Sequence, residues 1–212
     1  HKYSIEPLVT ISHYDDPLYI EEHLGGWQNR NTILLYEKYC QTIFEEYKND
    51  VTYWLTFNEI NTTILMPTLF PQFPKEKVPP LFDELHNKFV ASANVVAYAH
   101  KQYPSFKMGC MIAGMVTYPL TCDPEDVLCA QQKMQEGFYY AGDVMIRGAY
   151  SHYAKRLWKK YDVQYEKYAL DAEVLKNGCV DFMSYSYYST SCETTHTDVQ
   201  KDSGGNFSLG YK

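Results

Sequence analysis

Short apolar runs rich in β-branched and aromatic residues alternate along this chain with longer amphipathic stretches, and that alternation narrows the fold more than any other feature. Residues 6–12, 51–57, 106–113 and 180–188 read as strands. After the first, Leu35, Tyr36, Tyr39, Cys40, Ile43 and Tyr47 recur at helical spacing and predict a helix over 32–48. After the second, Pro79-Pro80 open a helix that carries Leu81, Leu85, Phe89, Ala93 and Val96 on one stripe. Asp123-Pro124-Glu125-Asp126 supplies an N-cap, a proline at the first position and acids in the first turn of a third helix. The pattern predicts a further helix over 142–161 and a short one over 171–176, stopped by Asn177-Gly178. The stretch from Glu59 to Pro79 and the tail from Ser189 to Lys212 read as loops.

Repeated strand–helix alternation implies a parallel sheet. A closed βα barrel has eight strands and typically about 250 residues, whereas 212 residues here carry four strand-like runs. Four buried parallel strands alone leave two bare edges and one uncovered face. The expected fold class is therefore α/β, a partial (β/α)8 TIM barrel, with residues 1–212 forming the central part of a single barrel domain.

The formal net charge of −7 argues against a nucleic-acid or membrane-surface partner, both of which need clustered Lys and Arg. The one basic run, Lys155-Arg156-Leu157-Trp158-Lys159-Lys160, suits the solvated end of a helix. Six scattered cysteines without Cys-x-x-Cys spacing, no signal-peptide pattern and no apolar run of bilayer length point to reduced thiols and a cytoplasmic location. On that reading the glycosylation-type triplets at Asn61 and Asn206 are coincidental. Nothing matches a phosphate-cradling Gly-rich loop, a nucleophile elbow or His-Glu-x-x-His. No metal and no cofactor are expected.

Chemistry concentrates in Tyr53-Trp54-Leu55-Thr56-Phe57-Asn58-Glu59, an apolar strand that ends in an amide and a carboxylate. A carboxyl at such a strand end meets dry protein, which raises its pKa, and a carboxyl kept protonated near neutrality serves as a general acid. A solvated Glu59 that simply begins the next loop is the competing reading.

Around this strand lie Thr10-Ile11-Ser12-His13-Tyr14, Gly25-Gly26-Trp27, Asn29-Arg30 and Ile60-Asn61. Together they resemble glycoside hydrolase family 1, with its strand ending in His-Trp, its Gly-Gly-Trp loop and its Thr-Phe-Asn-Glu strand. The run Tyr118-Pro119-Leu120-Thr121-Cys122-Asp123-Pro124-Glu125-Asp126 looks like the 6-phospho-β-glucosidase branch. The resemblance covers nearly the whole chain and implies that its strands correspond to the third to sixth of eight. It implies Glu59 as the catalytic acid/base, with Asn58 and His13 bonding sugar hydroxyls. Tyr14 stands where Trp commonly follows the His. Tyr188 matches a tyrosine whose hydroxyl approaches the nucleophile, and Ser186 stands where plain β-glucosidases have Asn and the phospho branch often has Ser.

Three family features have no counterpart here: the first strand with its sugar-binding Gln, the seventh, Glu-Asn-Gly strand that brings the nucleophile, and the eighth-strand phosphate-binding group. The resemblance thus implies an internal fragment of a retaining 6-phospho-β-glucosidase, inactive by itself. Its partner is a phosphorylated β-glucoside, with room for a homo-oligomer of the full-length enzyme. A β-glucosidase for unphosphorylated substrates and a non-catalytic carbohydrate-binding barrel are the alternatives.

Overall fold

The computed structural model describes residues 2–69, 72–199, 201–202 and 210–211. Four parallel strands lie in sequence order, β1 (Leu8–Ser12), β2 (Tyr53–Phe57), β3 (Lys107–Pro119) and β4 (Phe182–Glu193). Helices fill each crossover: α1 (Leu18–Leu24) and α2 (Asn31–Tyr47) between β1 and β2, then α3 (Thr62–Leu69) and α4 (Val78–Gln102) before β3. Between β3 and β4 run α5 (Pro124–Met134), a π-helical turn over Gln135–Tyr139, α6 (Tyr140–Arg147), α7 (Ala154–Lys160) and α8 (Ala172–Asn177). Past β4, two backbone pieces, β5 (Lys201–Asp202) and β6 (Gly210–Tyr211), pair antiparallel. Asn206 lies outside the described residues.

Alternation along the strands sorts the residues into two environments. Met108, Cys110 and Ile112 of β3 are fully buried under the helices, as is Trp54 of β2. Phe44 of α2 carries that layer: its ring meets Trp54 at 5.0 Å, Phe106 at 5.5 Å and Tyr103 at 6.2 Å. Thr56 and Ser92 of α4 satisfy each other's buried hydroxyls at 2.8 Å. On the other face of the sheet, Met111 lies beside Ser184 and Ser186.

A partly buried ionic knot, with Asp171 and His86 inside and Arg30 at the surface, joins the outer helices. Asp171, just before α8, accepts both arms of Arg30 at 2.8 and 2.9 Å and Nε2 of His86 at 2.9 Å. Tyr150 bonds the other ring nitrogen of His86 at 2.7 Å. With both nitrogens engaged and its ring stacked on Tyr168 at 4.1 Å, His86 is a structural link between helices.

Several expected boundaries move. The helix expected over 142–161 is two helices, α6 and α7, because Gly148 takes φ +66° and caps α6 by donating to the Val144 carbonyl. That left-handed turn is cheap for glycine and ends a helix whatever the apolar pattern beyond it. The loop expected after Glu59 contains α3, and β3 and β4 both run further than expected, pairing up to Pro119 and Glu193. Residues 189–193 therefore belong to a strand. The cap at α5 stands as expected, with the Asp123 carboxylate accepting from the Glu125 amide at 2.9 Å.

Candidate active site

Glu59 follows the end of β2 by two residues, and its surroundings hold it on all sides. The Asn58 amide donates to the Ser12 carbonyl at 2.8 Å and the Ile60 amide to the Met111 carbonyl at 3.2 Å, tying the strand end to both neighbours. The Thr62 amide and hydroxyl both bond the Glu59 carbonyl, at 2.9 and 2.8 Å, and so open α3. Asn61, also buried, exchanges bonds with the Ala113 backbone at 2.8 and 3.1 Å and reaches the Gly137 carbonyl of the π-helical turn at 2.6 Å. Below, Phe57 stacks on Tyr36 at 4.6 Å and meets Trp27 edge-on at 5.3 Å. The Gly-Gly-Trp loop thus acts as a prop beneath the strand end.

This bracing forces Glu59 to φ +43°, and Tyr14, two residues past β1, sits at φ +72°. Bulky residues rarely occupy this region, and each such residue costs about 1–3 kcal/mol. The two residues held this way touch: the Tyr14 hydroxyl donates to Glu59 Oε2 at 2.6 Å.

Tyr188 approaches from the opposite side. In the β3–β4 register Gly114 pairs with Tyr187 but Met115 pairs with Ser189, so Tyr188 is the extra residue of a β-bulge. Bulges re-aim side chains, and this one brings the Tyr188 hydroxyl to Glu59 Oε1. Glycine is required opposite it, since a Cβ on Gly114 would come within 2.8 Å of the Ser186 carbonyl oxygen.

Glu59 is 6% exposed, so the buried reading holds and the solvated one does not. The direction of its pKa, however, opposes the sequence expectation. Burial raises it, but hydrogen bonds from Tyr14, Tyr188 and Ser186, together with the nearby His13, outweigh burial and hold the carboxyl below its ordinary value. Donors to the ionised form favour that form. In return, burial and then the Glu59 carboxylate push the Tyr14 phenol up to about 12. Tyr14 therefore stays a donor at any working pH.

Four of the five expected site residues converge on one point. Glu59 is the centre, Tyr188 touches it, and Ser186 adds a hydroxyl while also meeting the Met111 sulfur at 3.4 Å. His13 is exposed, its ring edge-on to Tyr14 at 5.5 Å. Asn58 is half-buried, and its side chain faces the Tyr14 hydroxyl. Sequence reasoning missed the Tyr14 contact and the Asn61 anchor. A phenol where an indole is common was the one visible signal for the first. Among the described residues no cluster of three or more His, Cys, Asp or Glu could hold a metal ion, and no helix is long and apolar enough to cross a membrane.

The profile of glycosyl hydrolase family 1 matches residues 1–206. The chain belongs to glycosyl hydrolase family 1. It is 42% identical to a 6-phospho-beta-glucosidase of Clostridium longisporum over 99% of its own length and 45% of that protein's. It is 40% identical to the aryl-phospho-beta-D-glucosidase BglH of Bacillus subtilis, covering all of this chain and 46% of that one. Among solved structures, the beta-glucosidase from Thermotoga maritima in complex with deoxynojirimycin superposes with a TM-score of 0.79 at 24% identity, covering 96% of this chain and 47% of the other. That likeness establishes the fold of this family 1 chain as part of a (β/α)8 barrel. The chain spans a little under half the length of the curated relatives it matches.

Proposed function

We propose that this chain is the central part of a family 1 barrel and carries the acid/base side of the active centre of a retaining 6-phospho-β-glucosidase. The observation that carries the reading is the 42% identity over 99% of the chain to a protein of that name. The braced, buried Glu59 supports it. The nucleophilic carboxylate comes from the part of the relatives' length that this chain does not cover. Retaining glycosidases place two carboxyl groups about 5–5.5 Å apart, one to protonate the leaving oxygen and one to attack the anomeric carbon. Glu59 takes the first role and, in the second half-reaction, removes a proton from water. The nucleophile's negative charge raises the Glu59 pKa before attack, opposing the phenols, and disappears once the glycosyl ester forms. His13 and Asn58 bond hydroxyls of the bound sugar. Ser186 lines the same face, and Tyr188 stands between Glu59 and the nucleophile. The reaction needs no cofactor and takes place in the cytoplasm.

The test is the full-length protein assayed on 4-nitrophenyl 6-phospho-β-glucoside and on its unphosphorylated counterpart. A site built to bond the phosphate rejects the analogue lacking it, so kcat/KM is expected to differ by about 10²-fold or more. The β-anomer should be the first product seen by proton NMR. Equal turnover of the two would convert the reading to an ordinary β-glucosidase, and no turnover of either would favour a binding barrel.

A further inference from the structure

We infer that Tyr14 is a positioning residue for Glu59, whose phenol fixes one carboxyl oxygen and sets the protonation state of the acid/base. The inference rests on the catalytic role proposed above for Glu59. Three features of the chain point to it.

First, the contact is direct: the Tyr14 hydroxyl lies 2.6 Å from Oε2, while Tyr188 takes Oε1, so each oxygen has its own phenol. Second, the loop after β1 is built to deliver the ring. The Asp16 amide donates to the Tyr14 carbonyl at 3.0 Å, and the Asp16 carboxylate accepts from the Trp27 indole at 2.9 Å, anchoring the turn to the buried aromatic prop. That turn holds Tyr14 at φ +72°, a conformation a bulky residue adopts only when its surroundings impose it. Third, the phenol is itself oriented, because Asn58 and Thr62 face its hydroxyl from the end of β2 and the start of α3.

The groups facing Glu59 are Tyr14 and His13 from the loop after β1, and Ser186 and Tyr188 from β4. All the hydrogen-bond donors among them favour the carboxylate over the acid. The clamp therefore suits the base step, and it makes proton donation in the first step harder for poor leaving groups than for aryl alcohols. Aryl glucosides, whose leaving groups need little protonation, are the substrates this arrangement serves best.

The test compares the full-length parent with Tyr14→Phe, which keeps the ring and removes only the hydroxyl. Carbon-13 NMR titration of a carboxyl-labelled Glu59 should show its pKa rise by about one unit, the amount one lost hydrogen bond to a charged group implies. The alkaline limb of kcat/KM should move up by the same amount. Replacing Tyr14 by 3-fluorotyrosine strengthens the donor and should move both in the opposite direction. An unmoved titration in both variants would make Tyr14 a mere aromatic wall and overturn the inference. The titration needs no turnover, so it decides the role of Tyr14 even if the parent hydrolyses neither glucoside, a result that would sink the functional reading instead.

Discussion

Glu59→Gln in the full-length protein is expected to slow hydrolysis of a 6-phospho-β-glucoside with an alkyl or sugar leaving group by about 10²–10⁴-fold, the usual contribution of general acid–base catalysis. The substitution preserves size and keeps an oxygen for one of the two phenols, but it removes the transferable proton. An aryl substrate whose alcohol leaves as a stable phenolate should lose much less in the glycosylation half-reaction. Breakdown of the glycosyl ester would then become limiting, since no base is left to activate water. Steady-state rates on a leaving-group series, with burst kinetics for the aryl members, separate the two. Parent-like activity on a phosphorylated disaccharide would remove Glu59 from the mechanism.

The largest stability effect is expected at Phe44, which is fully buried against Trp54, Tyr103 and Phe106. Phe44→Ala removes a whole ring from a layer that cannot collapse, because a strand and two aromatic neighbours hold its walls. Large-to-small changes of this kind cost about 3–5 kcal/mol. The measurement is the denaturant midpoint at constant slope, with Phe44→Leu as the milder comparison. A loss below about 1 kcal/mol would mean that the aromatic layer relaxes into the space. The damage should reach catalysis as well, because Trp54 belongs to the strand that carries Glu59.

The sequence made the scaffold legible wherever pattern and local chemistry agreed. The four strands, the Asp123 cap and the position of Glu59 at a strand end all rest on residues that announce their environment. Legibility failed where a single residue overrode the pattern around it. Gly148 cuts an otherwise continuous helical periodicity into α6 and α7. The long β3–β4 ribbon holds a register that only the partner strand reveals, and its bulge at Tyr188 is a relation between two strands. The Glu59 pKa failed for a different reason. Burial was readable from the apolar run before it, whereas the donors come from Tyr14 and Tyr188, 45 residues before and 129 residues after Glu59 in the chain. Electrostatics depends on what surrounds a group in space, and the nearest sequence neighbours carry little of that information.

The left-handed backbone at Tyr14 sets a trap for protein engineering. Asn or Gly adopts that conformation at lower cost, and Tyr14 is 55% exposed, so removing its side chain loses limited buried area. Either substitution should therefore leave folding unharmed or improved. Stabilising changes often erode strained functional sites, and a library screened for heat tolerance alone should enrich both residues at position 14. The survivors would keep the barrel and the Glu59 carboxylate but lose one arm of its clamp. Heat resistance and turnover should separate at this position, and rescreening the heat-tolerant clones for pH-dependent hydrolysis would show it.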